Sequence, residues 1–224
     1  MTRTKLCDRV LPAYTKGEEY FNTISHIIGA AFGVAALIMC LLVSSAKQDP
    51  IAVISSIIYG LSLILLYTMS SVYHGLKNST AKKVMQVIDH CTIYLLIGGS
   101  YTPPMLCAVL PHSPLWAWAV LGIVWGCAVI AIILTAIDLK KYAVFSMSCY
   151  LGMGWCAILA IKPIMEAVPL QGLLWLVAGG ISYTFGAVLY GFGKKYRYMH
   201  SLFHLFVLAG SIMHFIAIFQ YILL

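Results

Sequence analysis

Seven long apolar runs follow one another along this chain of 224 residues, and they constrain its fold more than any other feature. Each run has about the 20 residues that a helix needs to cross a hydrocarbon core roughly 30 Å thick. With 62% hydrophobic residues, 9% charged residues and a mean hydropathy of +0.93, the chain lies outside the range of soluble globular domains. The runs cover residues 27–46, 51–73, 87–110, 115–137, 142–162, 169–192 and 201–224.

The short linkers between the runs leave no room for a soluble domain. The sequence therefore predicts an all-α membrane protein, with residues 1–224 forming a single seven-transmembrane helix bundle. Residues 1–23 are predicted to be a cytoplasmic amino-terminal segment, and they are not a cleaved signal peptide because they carry charges and no apolar core. Two adjacent prolines in GGSYTPP (98–104) predict that the third helix kinks or ends there.

The basic residues indicate how the bundle is oriented. Twelve of the 14 lysines and arginines flank the runs on one side, whereas Lys47 and Lys162 lie on the other. By the positive-inside rule, the amino terminus is expected in the cytoplasm and the carboxyl terminus outside, in a multi-pass protein of the cell membrane. The charge of +7 is thus a topology signal with a contribution from anionic lipid headgroups, and no nucleic-acid partner is expected. The twelve are Arg3, Lys5, Arg9, Lys16, Lys77, Lys82, Lys83, Lys140, Lys141, Lys194, Lys195 and Arg197.

The seven cysteines do not suggest a disulfide framework or a thiolate metal site. Their number is odd, they form no CxxC pair, and most lie inside the apolar runs, where a free thiol behaves as a small apolar group. They are Cys7, Cys40, Cys91, Cys107, Cys127, Cys149 and Cys156.

The predicted topology gives each polar residue of the spans a depth, and four of these depths coincide. The second span ends inside near His74, the third begins inside near Asp89, and the seventh begins inside with His200 and His204. We expect these side chains to meet at the level of the cytoplasmic leaflet. Ionisable groups within a membrane are rare and usually functional, because hydrocarbon penalises them strongly.

His200 and His204 are four residues apart, which makes their side chains neighbours on one helix face, about 6 Å apart along the axis. Two such imidazoles can chelate one Zn²⁺, and His74 is the natural third ligand of a site with one position open for water. The alternative is that each histidine donates to a nearby carbonyl and merely ties helices together.

Two further residues could serve such a site. Asp89 is expected to accept a hydrogen bond from a metal-bound water or a ligand imidazole and to act as a base. Ser70 lies one turn before His74, and its hydroxyl could contact a substrate carbonyl, the metal-bound water or its own helix backbone.

Two other histidines of the spans are expected to stay apart from the metal. His90 points about 100° away from Asp89 around the helix and is expected to be a packing or interfacial residue. His214 lies about 15 Å deeper than His204, too far to share an ion. It is expected either to form a helix–helix hydrogen bond or to line an access path.

With these residues in place, the chain resembles the hemolysin III family, the bacterial branch of the progestin and adipoQ receptor superfamily, which is related to alkaline ceramidases. The resemblance covers nearly the whole chain. It rests on EEYFNTISH (18–26), YGLSLILLYTMSSVYH (59–74), VIDHCTIYLLIGGSYTPP (87–104), YLGMGWCAI (150–158), GGISYTFGAVLY (179–190) and HSLFHLFVLAGSIMH (200–214).

The resemblance implies a seven-helix bundle with a zinc ion near its cytoplasmic side. The zinc ligands would be His74, His200 and His204, with Asp89 and Ser70 close to the zinc-bound water. Members of the family are linked to hemolytic activity and to the control of bilayer fluidity.

The family's amino-terminal motif falls on Glu19, Asn22, Ser25 and His26. Capping of the first helix is the simplest expectation for this motif, and Asn22 or Ser25 has the chemistry for it.

Two functions compete at this point. One is a zinc-dependent intramembrane hydrolase that acts on a lipid amide or ester and serves membrane lipid homeostasis. The other is a non-enzymatic membrane-fluidity sensor or pore-forming, cytolytic protein in which zinc is structural and joins spans 2, 3 and 7. A retinal-dependent pump, also seven-helical, is set aside because the seventh span has no lysine for a Schiff base.

Overall fold

The computed structural model describes residue 4, residues 6–193 and residues 196–224. Arg3, Lys5, Lys194 and Lys195, which the topology prediction uses, lie outside the described residues, as does the side chain of Cys7. Cysteines 40, 91, 107, 127, 149 and 156 carry free thiols, as expected.

Within the described residues the chain forms helices and no strands, and seven helices are long and apolar enough to cross a membrane. The predicted class of fold, an all-α membrane bundle, is therefore confirmed. The membrane-spanning helices are α1 Lys16–Ala46, α2 Pro50–Gly75, α3 Thr80–Val109, α4 Pro114–Ile137, α5 Ala143–Ala167, α6 Leu170–Phe192 and α7 Met199–Leu223.

The first helix begins well before the predicted residue 27, because a capping box starts it. The backbone N–H of Glu18 donates to Thr15 Oγ1 at 3.2 Å, and the Thr15 N–H donates to Glu18 Oε2 at 2.8 Å. These bonds satisfy two donors that a helix start otherwise leaves unpaired. Asn22 and Ser25 lie inside α1, so the expectation that one of them caps the helix is wrong.

The prolines of α3 act as predicted. Its α-helical part ends at Pro103, and residues Pro104–Val109 continue as a wider π-helical turn. The Leu110 N–H donates to the Met105 carbonyl five residues back, at 2.8 Å. The fifth span is also irregular, since a 3₁₀ stretch, Cys156–Ala160, separates its two α-helical parts.

The bundle is apolar outside, and its interior holds both apolar and polar side chains. Large apolar side chains such as Ile24, Leu42 and Ile54 are exposed along its outer faces. Its interior contains fully buried tyrosines, among them Tyr67 and Tyr73. This distribution is the one expected of helices solvated by lipid, where the interior of the bundle can hold polar groups.

Close contacts between helices bring the two halves of the site together. Helix α1 packs along α2, α2 along α3, and α6 along α7, while α7 also contacts α1. A side chain at Gly29 of α1 would collide with the ring of Tyr67 on α2, so glycine is needed there. The amino-terminal turns of α1 and α7 and the carboxyl-terminal end of α2 thereby share one end of the bundle.

Candidate metal site

Three histidines meet at this end of the bundle. His74 lies in the last turn of α2, and His200 and His204 occupy the first two turns of α7. The Nε2 atoms of His74 and His200 are 3.3 Å apart, and those of His200 and His204 are 3.1 Å apart. All three residues are buried, with exposed fractions of 2%, 7% and 1%. Within residues 4, 6–193 and 196–224, this is the one cluster of possible metal ligands.

The spacing of these nitrogens suits a metal ion. Two ligands about 2.05 Å from a tetrahedral zinc ion lie roughly 3.3 Å apart, which matches both measured separations. Neutral imidazole has a single N–H, and its other nitrogen presents a lone pair. Three Nε2 atoms turned towards one another can all present lone pairs to one cation. The cluster could therefore hold a metal ion.

A carboxylate contacts the outer nitrogen of one of these rings. Glu19 Oε2, on α1, lies 2.7 Å from His74 Nδ1, and Glu19 Oε1 lies 2.6 Å from the Lys82 ammonium on α3. Glu19 belongs to the amino-terminal motif of the sequence, but the motif does not reveal this contact. The spacing of the motif could have indicated the contact. Glu19, Asn22 and His26 are three and four residues apart, so they lie on one helix face, which a neighbouring helix can meet.

Several aromatic rings surround the cluster, and two of them stack on its histidines. His26 of α1 stacks on His204 with ring centroids 3.8 Å apart, and it meets Tyr67 edge-on at 5.0 Å. Among the described residues, neither ring nitrogen of His26 has a hydrogen-bond partner. Tyr14, just before α1, stacks on His200 at 4.9 Å. Burial raises the pKa of the Tyr14 phenol, so it remains protonated.

Asp89 and Ser70 lie on the wall of a cavity that adjoins the cluster. Both side chains are buried, and His200 and His204 line the same cavity. The structure thus places both residues on the wall of one cavity with His200 and His204. Their chemical roles stay predictions.

His90 packs between helices, as expected, and it also lies on the cavity wall. Its Nδ1 is 2.8 Å from the Gln86 carbonyl, one turn back on α3, and its Nε2 is 3.3 Å from the Tyr190 hydroxyl on α6. It is not one of the three clustered histidines.

The cavity has a volume of about 130 Å³ and extends from the histidine cluster into the opposite half of the bundle. Its far end reaches Tyr101, Trp155 and His214, and most of its lining is apolar or aromatic. A lining of this kind suits an apolar chain with a polar group at one end.

His214 combines the two roles that the sequence left open. Its Nε2 lies 3.1 Å from the Leu176 carbonyl, which joins α7 to α6, and its ring also lines the far end of the cavity. The ring lies against Gly179 of α6, where any side chain would occupy its place.

The fold and the cluster define a class of protein: a seven-helix membrane protein with three buried histidines that could hold a metal at one end. Residues 14–215 match the family model described as Haemolysin-III related, and the chain belongs to this family. It is therefore a multi-pass membrane protein, and in bacteria such proteins lie in the plasma membrane.

Individual relatives agree with this assignment. The chain is 38% identical over 206 residues to Hemolysin-3 of Bacillus cereus, which covers 92% of each chain. It is 33% identical over 208 residues to the Hemolysin-3 homolog of Bacillus subtilis (strain 168), covering 93% of this chain and 96% of the relative. It is also 27% identical over 197 residues to the Monocyte to macrophage differentiation factor of Homo sapiens, covering 84% and 79%.

Proposed function

We propose that this protein is a zinc-dependent hydrolase that cleaves an amide or ester bond of a membrane lipid. The observation that carries the proposal is the convergence of three Nε2 atoms beside a cavity that also contains Asp89 and Ser70. Imidazole is a preferred zinc ligand, and three protein ligands leave the fourth position that catalytic zinc sites keep open.

The residues of the chain divide the work of such a reaction. Bound zinc would supply a Lewis acid that polarises the lipid carbonyl and lowers the pKa of a water molecule to about 7. His74, His200 and His204 would hold the ion. The Asp89 carboxylate would accept the proton from the attacking water and return it to the leaving amine or alcohol. The Ser70 hydroxyl would donate a hydrogen bond to the carbonyl oxygen as negative charge develops there.

The cavity would bind the acyl chain of the lipid. Its apolar lining continues past the cluster towards Trp155 and His214, so an acyl chain could occupy it while the scissile bond lies near Asp89. The outer faces of the helices are covered with apolar side chains, which favours a substrate that enters from the bilayer.

We also propose that the histidine cluster lies at the cytoplasmic side, with the amino terminus in the cytoplasm and the carboxyl terminus outside. Lys16, Lys77, Lys83 and Arg197 lie at the end of the bundle that holds the cluster, whereas Lys47 lies at the opposite end. An excess of lysine and arginine is typical of cytoplasmic loops.

The test of catalysis uses purified full-length protein with a panel of N-acyl and O-acyl lipids. Fatty acid should be released, and the release should disappear in His204→Ala but persist in Glu166→Gln, which removes an exposed carboxylate. A zinc-loaded, folded protein that releases no fatty acid from any lipid of the panel would contradict the proposal.

A second function is favoured because the metal ligands come from two different helices. His74 and His200 belong to different helices, so a metal bound between them would join α2 to α7 and stabilise the bundle without catalysis. In that case the protein would be a membrane-fluidity sensor or a cytolytic protein with structural zinc. Asp89→Asn distinguishes the two: a folded, zinc-loaded variant that retains lysis or fluidity sensing would favour the structural role.

A further inference from the structure

Glu19 has contacts that neither helix capping nor the proposed reaction explains. It lies in the first turn of α1, after the capping residue Thr15, and its carboxylate reaches two other helices. Oε2 is 2.7 Å from His74 Nδ1 on α2, and Oε1 is 2.6 Å from the Lys82 ammonium on α3. One carboxylate thus connects a candidate metal ligand to a cation.

These contacts determine which nitrogen of His74 carries its proton. A carboxylate paired with an ammonium group is ionised and can only accept hydrogen bonds, so His74 Nδ1 must be the donor to Glu19. In neutral imidazole the other nitrogen, Nε2, then presents a lone pair. It is Nε2 that faces His200 at 3.3 Å.

One neighbouring group could favour the opposite arrangement. The Asn22 Nδ2 amide lies 3.4 Å from His74 Nδ1 and could donate to it if Nδ1 carried no proton. The contact with Glu19 is shorter by 0.7 Å and involves a charged acceptor, which makes it the stronger of the two. The carboxylate therefore decides the tautomer.

Lys82 fixes the direction in which this carboxylate points. Its side chain is buried, with an exposed fraction of 6%, and its ammonium also donates to the Leu76 carbonyl at 2.9 Å and the His74 carbonyl at 3.4 Å. These carbonyls belong to the end of α2, so the ammonium is held in place by that helix end. It binds Oε1 of Glu19 and leaves Oε2 for the imidazole.

We propose that Glu19 and Lys82 are positioning residues that keep His74 in its Nδ1–H tautomer, so that its Nε2 lone pair is directed at a zinc ion shared with His200 and His204. This inference rests on the proposed zinc site. Carboxylate partners of this kind fix the orientation of a ligating histidine and increase its basicity. The inference also gives a role to the amino-terminal motif that contains Glu19.

The decisive variant is Glu19→Gln, which keeps the size of the side chain. Lys82 attracts the oxygen of the new amide, so the NH₂ group faces His74 Nδ1 and favours the wrong tautomer. We expect zinc affinity to fall about 10–100-fold. In Glu19→Gln combined with Lys82→Met the amide can turn its oxygen to His74, and part of the lost affinity should return. Glu166→Gln, on an exposed site, is the matched control and should bind zinc as the wild type does.

Zinc affinity is measured on the detergent-solubilised full chain by competition with a chromophoric chelator, with size-exclusion elution and circular dichroism as tests of folding. Side-chain ¹⁵N NMR of zinc-free wild type, with the His74 signal assigned by its loss in His74→Gln, reports the tautomer of His74 directly. We expect the Nδ1–H form, and the Nε2–H form would overturn the inference.

The outcomes separate this inference from the proposed function. A folded Glu19→Gln variant whose zinc affinity stays within about twofold of wild type, rather than falling 10–100-fold, overturns the role of Glu19 while the zinc site stands. A double variant that binds zinc no better than Glu19→Gln overturns the role of Lys82. A wild-type protein that binds no zinc overturns the metal site itself, and this inference with it.

Discussion

Replacing Gly179 with alanine should displace the ring of His214 and destabilise the contact between α6 and α7. An added Cβ at Gly179 would meet the His214 ring most closely at Cδ2, and it would lie 2.6 Å from Nε2, already about 1 Å short of ordinary van der Waals contact. The ring must move by at least this distance, which breaks its 3.1 Å bond to the Leu176 carbonyl. The backbone carbonyl of Gly210, 3.1 Å from the added atom, restricts movement on the other side.

The expected loss of stability is the sum of two costs. Overpacking a well-packed interior costs typically about 1–3 kcal/mol. A hydrogen bond between membrane helices contributes about 0.6 kcal/mol on average. The gain in helix propensity from glycine to alanine, about 1 kcal/mol, opposes both and must be removed by a control.

Gly180→Ala is that control, because it gains the same propensity one residue along the same helix. Its added Cβ would meet Trp155 at 3.6 Å, an ordinary contact. We therefore expect Gly179→Ala to be about 2–3 kcal/mol less stable than Gly180→Ala in reversible unfolding from detergent micelles. Truncation of the ring, in Gly179→Ala combined with His214→Ala, should remove most of the overpacking. Equal stability of Gly179→Ala and Gly180→Ala would refute the reasoning.

Three further predictions concern other parts of the chain. At the proposed zinc site, His204→Ala should lower the zinc content, measured by elemental analysis of purified protein, from the expected one ion per chain to none, since two histidines remain. Thr15→Ala removes the side-chain acceptor for the Glu18 N–H and should destabilise the protein by about 1 kcal/mol in thermal unfolding. Hydrogen bonds from backbone N–H groups, first of all that of Thr4, lower the pKa of Asp138 from 3.8 to about 2. Because the folded-state pKa is depressed, the stabilisation is complete well above pH 4 and disappears as the pH falls towards 2, and Asp138→Asn should lack this acid dependence in unfolding measured against pH.

Hydropathy alone was sufficient to find the seven spans, because lipid imposes a minimum apolar length on every crossing. The depth of each polar residue followed from the order of the spans, and this brought His74 together with His200 and His204 although 126 residues separate the first two. The spacing of four within α7 supplied the rest of the cluster. These predictions succeeded because they depend only on position along a helix axis.

The contacts that the sequence did not reveal depend on the rotation of one helix about its axis relative to another. The stacking of His26 on His204 and the bond from His74 to Glu19 both require α1 to present one particular face to α2 and α7. Hydropathy gives depth but no such angle. A stripe of polar residues along α1 could have given this angle. Glu19, however, lies outside the apolar run from which the first span was predicted, so the sequence did not assign it to a face of that helix.

The predicted first span starts at residue 27, although α1 begins at Lys16. The polar residues that caused this error also contribute contacts at the site. Glu18 and Glu19 lower the hydropathy of the first turns, which is why the apolar run begins only at residue 27. Yet Glu18 closes the capping box that extends the helix, and Glu19 contacts His74 and Lys82. A membrane helix can tolerate such charges only where neighbouring helices supply partners. A polar start on an otherwise apolar span therefore indicates that its first turns face groups on other helices, and here those groups include the candidate metal ligand His74.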